Sequence, residues 1–131
     1  TLMLVPRAVT RHYNFSLWRE SLALRYDAGR QFAGSCRQRW TLARRVLYLG
    51  GSPLIPLVRV GRITRQFLRP GRPARLLPVL VPMCLLLLTV EAAGAFAGYL
   101  AGPGASSRRI ARIDFHRENY MNRRDRERFP A

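Results

Sequence analysis

The sequence predicts a mainly α-helical fold: amphipathic interfacial helices, then one hydrophobic transmembrane or re-entrant helix, with a short N-terminal extended segment and a flexible basic tail. Three observations predict it. First, residues 76–100 read LLPVLVPMCLLLLTVEAAGAFAGYL, with no Arg, Lys or Asp and a single Glu, Glu91. A hydrocarbon layer about 30 Å thick is crossed by roughly 20 apolar helical residues, and this run is long enough. It lies too far along the chain to be a secretory signal. Second, everything around it is rich in arginine. Third, the apolar residues that precede it recur at spacings of three and four, the period of a helix face.

The 131 residues suffice for one small domain, and the formal charge is +16. All 23 basic residues are Arg. Residues 1–75 hold 15 of them against Glu20 and Asp27, a balance of +13; residues 101–131 hold 8 against Asp114, Glu118, Asp125 and Glu127, a balance of +4. A basic surface beside an apolar span suits anionic lipid head groups, at roughly 1 kcal/mol per Arg near the surface. Charge alone would also attract nucleic acid without specificity, but no recognised nucleic-acid-binding module is present, and no specific nucleic acid is expected as a partner.

Residues 1–13, TLMLVPRAVTRHY, read as an extended segment, with Pro6 opposing any helix. A single strand cannot fold alone, so this one implies a sheet upstream. Residues 14–75 read as basic amphipathic helices. The first, 16–33, has Ser16 as N-cap and places Phe15, Trp18, Leu22, Tyr26, Gly29 and Ala33 on one face, with Arg19, Glu20 and Asp27 largely off it. The second, 36–49, sets Trp40, Ala43 and Leu47 against Arg37, Arg39, Arg44 and Arg45, with Tyr48 at its edge. Two readings of it stand side by side: a helix in the interfacial plane of a bilayer, or one packed on a protein core with its arginines solvated. Residues 54–69 form a shallow interfacial turn or helix, its apolar side continuing through Ile63, Phe67 and Leu68 with Arg59, Arg62, Arg65 and Arg69 opposite. Residues 70–75, PGRPAR, are a linker of turn residues.

The hydrophobic segment, 76–101, has Pro78 and Pro82 in its first turns, where helices tolerate proline best. Gly94 and Gly98 form a small-xxx-small pair suited to close helix contact. Glu91 is costly in lipid and is expected to face protein, water or a head group. Residues 102–131 form the basic polar tail, with His116 solvated. The run allows one span, with the more Arg-rich N-terminal part in the cytoplasm and the chain in the cell inner membrane. If both flanks stay on one side, a re-entrant pair with a break near Glu91–Gly94 is required.

Cys36 and Cys84 have no partner pattern for a bridge or for zinc. No phosphate-cradling glycine loop, nucleophile with a nearby base, or metal cluster is present, so no catalytic or metal-binding residue is assigned.

The order of several short motifs nevertheless carries information. Pro6-Arg7-Ala8-Val9-Thr10-Arg11-His12 is followed by Tyr26-Asp27-Ala28-Gly29-Arg30-Gln31-Phe32-Ala33, then Arg44-Arg45-Val46-Leu47-Tyr48, Ser52-Pro53-Leu54-Ile55-Pro56 and Glu91…Gly98-Tyr99-Leu100. Together, over residues 5–104, they resemble the C-terminal part of a bacterial family 2 glycosyltransferase of the GT-A type. In that family a strand closes the nucleotide-sugar domain and interfacial helices follow. The resemblance implies inverting transfer of a sugar from a nucleotide donor to a membrane-linked or cell-surface acceptor, with a divalent metal, Mg or Mn, in the full-length protein. It places His12 near the donor diphosphate or metal. No Asp-x-Asp metal motif occurs here, and Gln38-Arg39-Trp40 has the wrong spacing for the processive members' motif, with Cys36 at the required Gln position. This chain alone is therefore expected to be inactive and to need no cofactor, meeting membrane lipids directly and nucleotide sugar and acceptor only through the missing domain. The alternative is a small self-sufficient membrane protein that binds anionic lipid or a partner helix.

Overall fold

The computed structural model describes residues 17–69 and 74–128, and among these there are helices and no strands. They are α1 (Trp18–Arg39), α2 (Leu42–Gly51), α3 (Leu54–Phe67), a 3-10 turn (Ala74–Leu76) leading into α4 (Leu77–Ala101), α5 (Ser106–Phe115), a second 3-10 turn (Arg117–Tyr120) and α6 (Arg123–Arg128). The N-terminal extended segment, Phe15, Ser16, His12 and most of the PGRPAR linker lie outside the described residues. The residue that caps α1 is Leu17.

The predicted break between the first two helices falls in a different place. α1, expected to end at 33, continues through Gly34 to Arg39, so Cys36, Arg37 and Arg39 belong to the first helix rather than the second. Glycine costs roughly 1 kcal/mol in a helix interior relative to alanine, but tertiary contact overrides that here. A Cβ on Gly29 would strike the carbonyl of Glu91, and one on Gly34 would strike Pro103. The helix ends instead at Trp40, whose extended backbone (φ −100°, ψ 146°) turns its ring toward Tyr48 and Tyr99.

α1 and α4 form the frame. Tyr26 meets Gly94, Arg30 meets Gly98 and Gly34 meets Pro103, so the two helices run in the same direction with backbones in contact. Gly29 and Ala33 on α1 face Gly94 and Gly98 on α4, and all four are buried. Small residues at four-residue spacing on both helices permit this approach. α3 returns antiparallel along a second side of α4: Ser52 and Pro53 lie near Phe96, and Arg59 reaches Glu91. Pro56 falls in the first turn of α3, where the missing N–H has no intrahelical acceptor in any case.

α4 is long and apolar enough to cross a membrane. It is one continuous helix from Leu77 to Ala101, with Pro82 inside it, so the break near Glu91–Gly94 required for a re-entrant pair is absent. Gly94 lies in the middle of that stretch, packed against the Tyr26 backbone. α4 ends at Gly102 (φ 84°), a left-handed conformation that glycine adopts at no steric cost.

The tail was expected to be flexible. Its described residues fold back along α1: Ser106 and Arg109 reach Asp27, and the Leu17 N–H donates to the Tyr120 carbonyl at 3.4 Å. Ile113 and Met121 are buried beneath it. Asp27 lies off the apolar face of α1, as predicted, yet is 4% exposed because α5 covers that other face.

Candidate membrane-facing site

Among the described residues only four apolar side chains are buried, Ala33, Tyr99, Ile113 and Met121, whereas eighteen large hydrophobic ones are exposed. The exposed set concentrates on three helices. α2 presents Leu42, Val46 and Leu47, α3 presents Leu54, Leu57 and Val58, and α4 presents Val79, Met83, Leu86, Phe96 and Leu100. Between α3 and α4 runs an open groove of about 460 Å³ lined by Pro53, Pro56, Leu57, Leu85, Thr89 and Phe96 among others. The Thr89 hydroxyl donates to the Leu85 carbonyl at 2.7 Å, so it offers no unmet donor to the groove.

At one end of this surface the structure gathers Trp40, Arg44, Arg45 and Tyr48, four of the residues that the sequence marked for membrane contact. The Arg44 guanidinium sits 4.4 Å from the Trp40 ring centre and 5.9 Å from that of Tyr48. Trp40 and Tyr48 are 4.6 Å apart, and Arg45 Nε donates to the Trp40 carbonyl at 3.0 Å. Tyr99 completes the cluster, 5.8 Å from Trp40 and stacked with it. The sequence places Tyr99 in a motif but not in the aromatic and basic cluster; its place at the end of an apolar run, where aromatic residues are enriched in membrane helices, was the available signal. Arg37 and Arg39 stand on the last turn of α1.

Arg59, Arg62 and Arg65 share α3 but part company. Arg59 leaves the other two to pair with Glu91, its Nη1 lying 2.7 Å from Oε1. Arg25 approaches the other carboxylate oxygen at 3.6 Å. The predicted intramembrane acid thus faces two guanidinium groups from flanking helices. Arg62 and Arg65 flank a shallow hollow of about 360 Å³ with Leu57, Val58 and Gly61. Arg25 was missed, because nothing in α1 alone shows that it reaches α4.

A second charged cluster, also missed, sits away from the apolar surface. Asp27 accepts from Ser106 Oγ at 2.9 Å and from Arg109 Nε at 2.8 Å, and it pairs with the Arg109 terminal nitrogen as well. The bidentate guanidinium holds the Asp27 carboxyl below its ordinary value against the opposing effect of burial, with the Ser106 hydroxyl assisting. The same bond raises Arg109. Arg30 closes the neighbouring loop, donating to the Gly102 carbonyl at 3.1 Å.

His116 is mostly exposed, 3.7 Å from Glu118. Cys36 and Cys84 are both free thiols. Among the described residues no three His, Cys, Asp or Glu side chains converge to hold a metal. His12 lies outside them. No protein family, characterised protein or solved structure matches this chain.

Proposed function

We propose that this chain is a membrane-attaching helical module whose ligand is the anionic face of a lipid bilayer. One observation carries the reading: a broad apolar surface on α2, α3 and α4, flanked by arginines, with eighteen large apolar side chains exposed and four apolar ones buried among the described residues. In water such a surface is unfavourable, since covering a single Leu or Phe side chain is worth about 1.5–3 kcal/mol. Arginine alongside it adds attraction to anionic head groups and none to a neutral surface. The cytoplasmic leaflet of a cell inner membrane supplies that charge, which agrees with the Arg-rich N-terminal part residing on the cytoplasmic side.

Flotation of the purified chain with vesicles tests this. Binding to vesicles containing phosphatidylglycerol, weaker binding to pure phosphatidylcholine, and loss of binding in high salt are expected. A chain that stays monomeric in buffer and ignores both vesicle types overturns it.

The ordered motifs support a larger setting, the C-terminal region of a family 2 glycosyltransferase. The stretch Tyr26–Ala33 is the hub of the fold: Asp27 fixes the tail, Gly29 and Ala33 meet α4, and Arg30 closes the loop after it. A segment with so many structural duties tolerates little change, as a recurring motif should. Transfer of sugar from a nucleotide donor, with its divalent metal, would then belong to a separate catalytic domain, and this module would hold that domain against a membrane-linked acceptor. Reading the genomic DNA upstream of Thr1 tests the setting. In-frame coding for an Asp-x-Asp-bearing domain supports it; an in-frame stop directly upstream leaves a self-sufficient lipid-binding protein.

A further inference from the structure

We infer that α4 lies in the plane of one leaflet and does not carry the chain across the bilayer. This rests on the membrane reading above and deepens it by fixing the course of the helix.

The apolar length of α4 permits a span, but its neighbours oppose one. α1 covers one side of its C-terminal half and α5 packs on the far side of α1, so that the two bring Arg25, Arg30, Arg108, Arg109 and Arg112 alongside. α3 lies antiparallel along another side with Arg59, Arg62 and Arg65. If α4 crossed, these guanidinium groups would stand at the depth of the hydrocarbon, where charged side chains are strongly disfavoured. Both ends of α4 are also basic: Arg69 and Arg75 precede it and Arg108 follows.

The exposed side of α4 has the opposite character. α1 contacts the stripe Glu91, Gly94, Ala95 and Gly98. At 3.6 residues per turn, the side turned away from that stripe carries Val79, Leu86, Ala93 and Leu100, all exposed. It is apolar along its whole length, about 32 Å from Val79 to Leu100 at 1.5 Å per residue. Across the groove, Leu57 of α3 adjoins the same side. A helix that is apolar on one long open side and, along its C-terminal half, packed against arginine-bearing helices on the other fits the boundary between head groups and acyl chains. The Arg44–Trp40–Tyr48–Tyr99 cluster then sits at the head-group level, where aromatic rings settle. Glu91, drawn by Arg25 and Arg59 toward the covered side, avoids the hydrocarbon. The in-plane course also keeps the segments before and after α4 on the same side without breaking the helix. The Asp27–Arg109 pair, which ties α5 to α1, requires that arrangement.

Depth-resolved quenching tests the inference. In the full chain carrying Cys36→Ser and Cys84→Ser, an environment-sensitive dye is placed in turn at Val79→Cys, Leu86→Cys, Ala93→Cys and Leu100→Cys. Binding to phosphatidylglycerol vesicles is measured by flotation on the same samples. Quenching by lipids labelled near the head group is expected to exceed quenching by lipids labelled near the chain end at all four positions. A spanning helix reverses this for Leu86 and Ala93 alone. Flotation with that reversed profile overturns the in-plane course and leaves the membrane reading intact; absence of flotation overturns both. As a second measurement, an impermeant thiol reagent added outside sealed vesicles should label Gln66→Cys and Arg124→Cys to the same full extent. Protection of one of them until the vesicles are lysed overturns the inference.

Discussion

Asp27 and Arg109, 82 positions apart, meet as an unequal pair: the Asp27 side chain is 5% exposed and that of Arg109 is 48% exposed. Removing the two partners should therefore have different effects. Arg109→Ala leaves a buried carboxylate with Ser106 as its remaining side-chain hydrogen-bond donor, at a cost of about 2–3 kcal/mol. Asp27→Ala leaves a guanidinium already half in water and a buried Ser106 hydroxyl without its acceptor, at a smaller cost of about 1–2 kcal/mol. Thermal unfolding of both variants checks the order, and hydrogen exchange checks that α5 is the first element to open.

The same pair gives the tail an acid limit. The Asp27 carboxyl lies below its ordinary value in the folded state. Its contribution is therefore complete above the unfolded value, about 3.9, and is lost as pH falls through the lower folded-state value. Hydrogen exchange or a label on α5 should show it opening below about pH 4. Asp27→Asn should show weaker docking with no such acid step.

Glycines at the α1–α4 contact should be intolerant, and Gly61 on the open side of α3 permissive. At Gly94 a Cβ would meet the Tyr26 carbonyl, which belongs to a backbone that cannot move aside alone. Gly94→Leu should cost more than about 3 kcal/mol by overpacking and forcing α1 from α4. At Gly61, in α3, a Cβ meets nothing within 4 Å. Gly61→Ala should be neutral or stabilise by up to about 1 kcal/mol through helix propensity. Unfolding midpoints in detergent or lipid compare the two.

Membrane affinity should follow the arginines of α3. Replacing Arg62 and Arg65 together with Gln should weaken binding to anionic vesicles roughly 30-fold at low salt, from about 1 kcal/mol for each. The difference should shrink toward 1 M salt, where the screening length falls to about 3 Å. Vesicle titrations at two ionic strengths measure this.

Glu91→Gln should do the reverse. Its partners Arg25 and Arg59 are each about half exposed, so folding stability should fall by less than about 1 kcal/mol. Two guanidinium groups released toward lipid should instead tighten binding to anionic vesicles several-fold, by the same vesicle titration.

Helical period, arginine distribution and apolar length made the fold class legible, because each is a local property of the chain. Gly94 and Gly98 announced a close contact, and α1 supplies the helix that meets them. The end of α1 was not legible. Gly29 and Gly34 look like helix breakers until Glu91 and Pro103 are seen against them, and that is information from 62 and 69 positions away. The docking of the tail was hidden for the same reason. Asp27, Ser106 and Arg109 are each ordinary in their own segments, and only the fold makes them a pair of charges with a shared hydroxyl. The proximity of Trp40, Arg44 and Tyr48 follows from a local pattern of basic and aromatic residues, whereas the reach of Arg25 to Glu91 required knowledge of which way its helix faces.

The hydrogen bond from Leu17 to Tyr120 has a practical consequence. It brings the entry to the first helix and the exit from the docked tail to one point, so the described fold is nearly a closed loop. The backbones of Leu17 and Tyr120 lie within hydrogen-bond distance, so fluorophores attached at these two positions would begin close together. Their energy transfer would report, in living cells as well as in vesicles, whether that loop is shut.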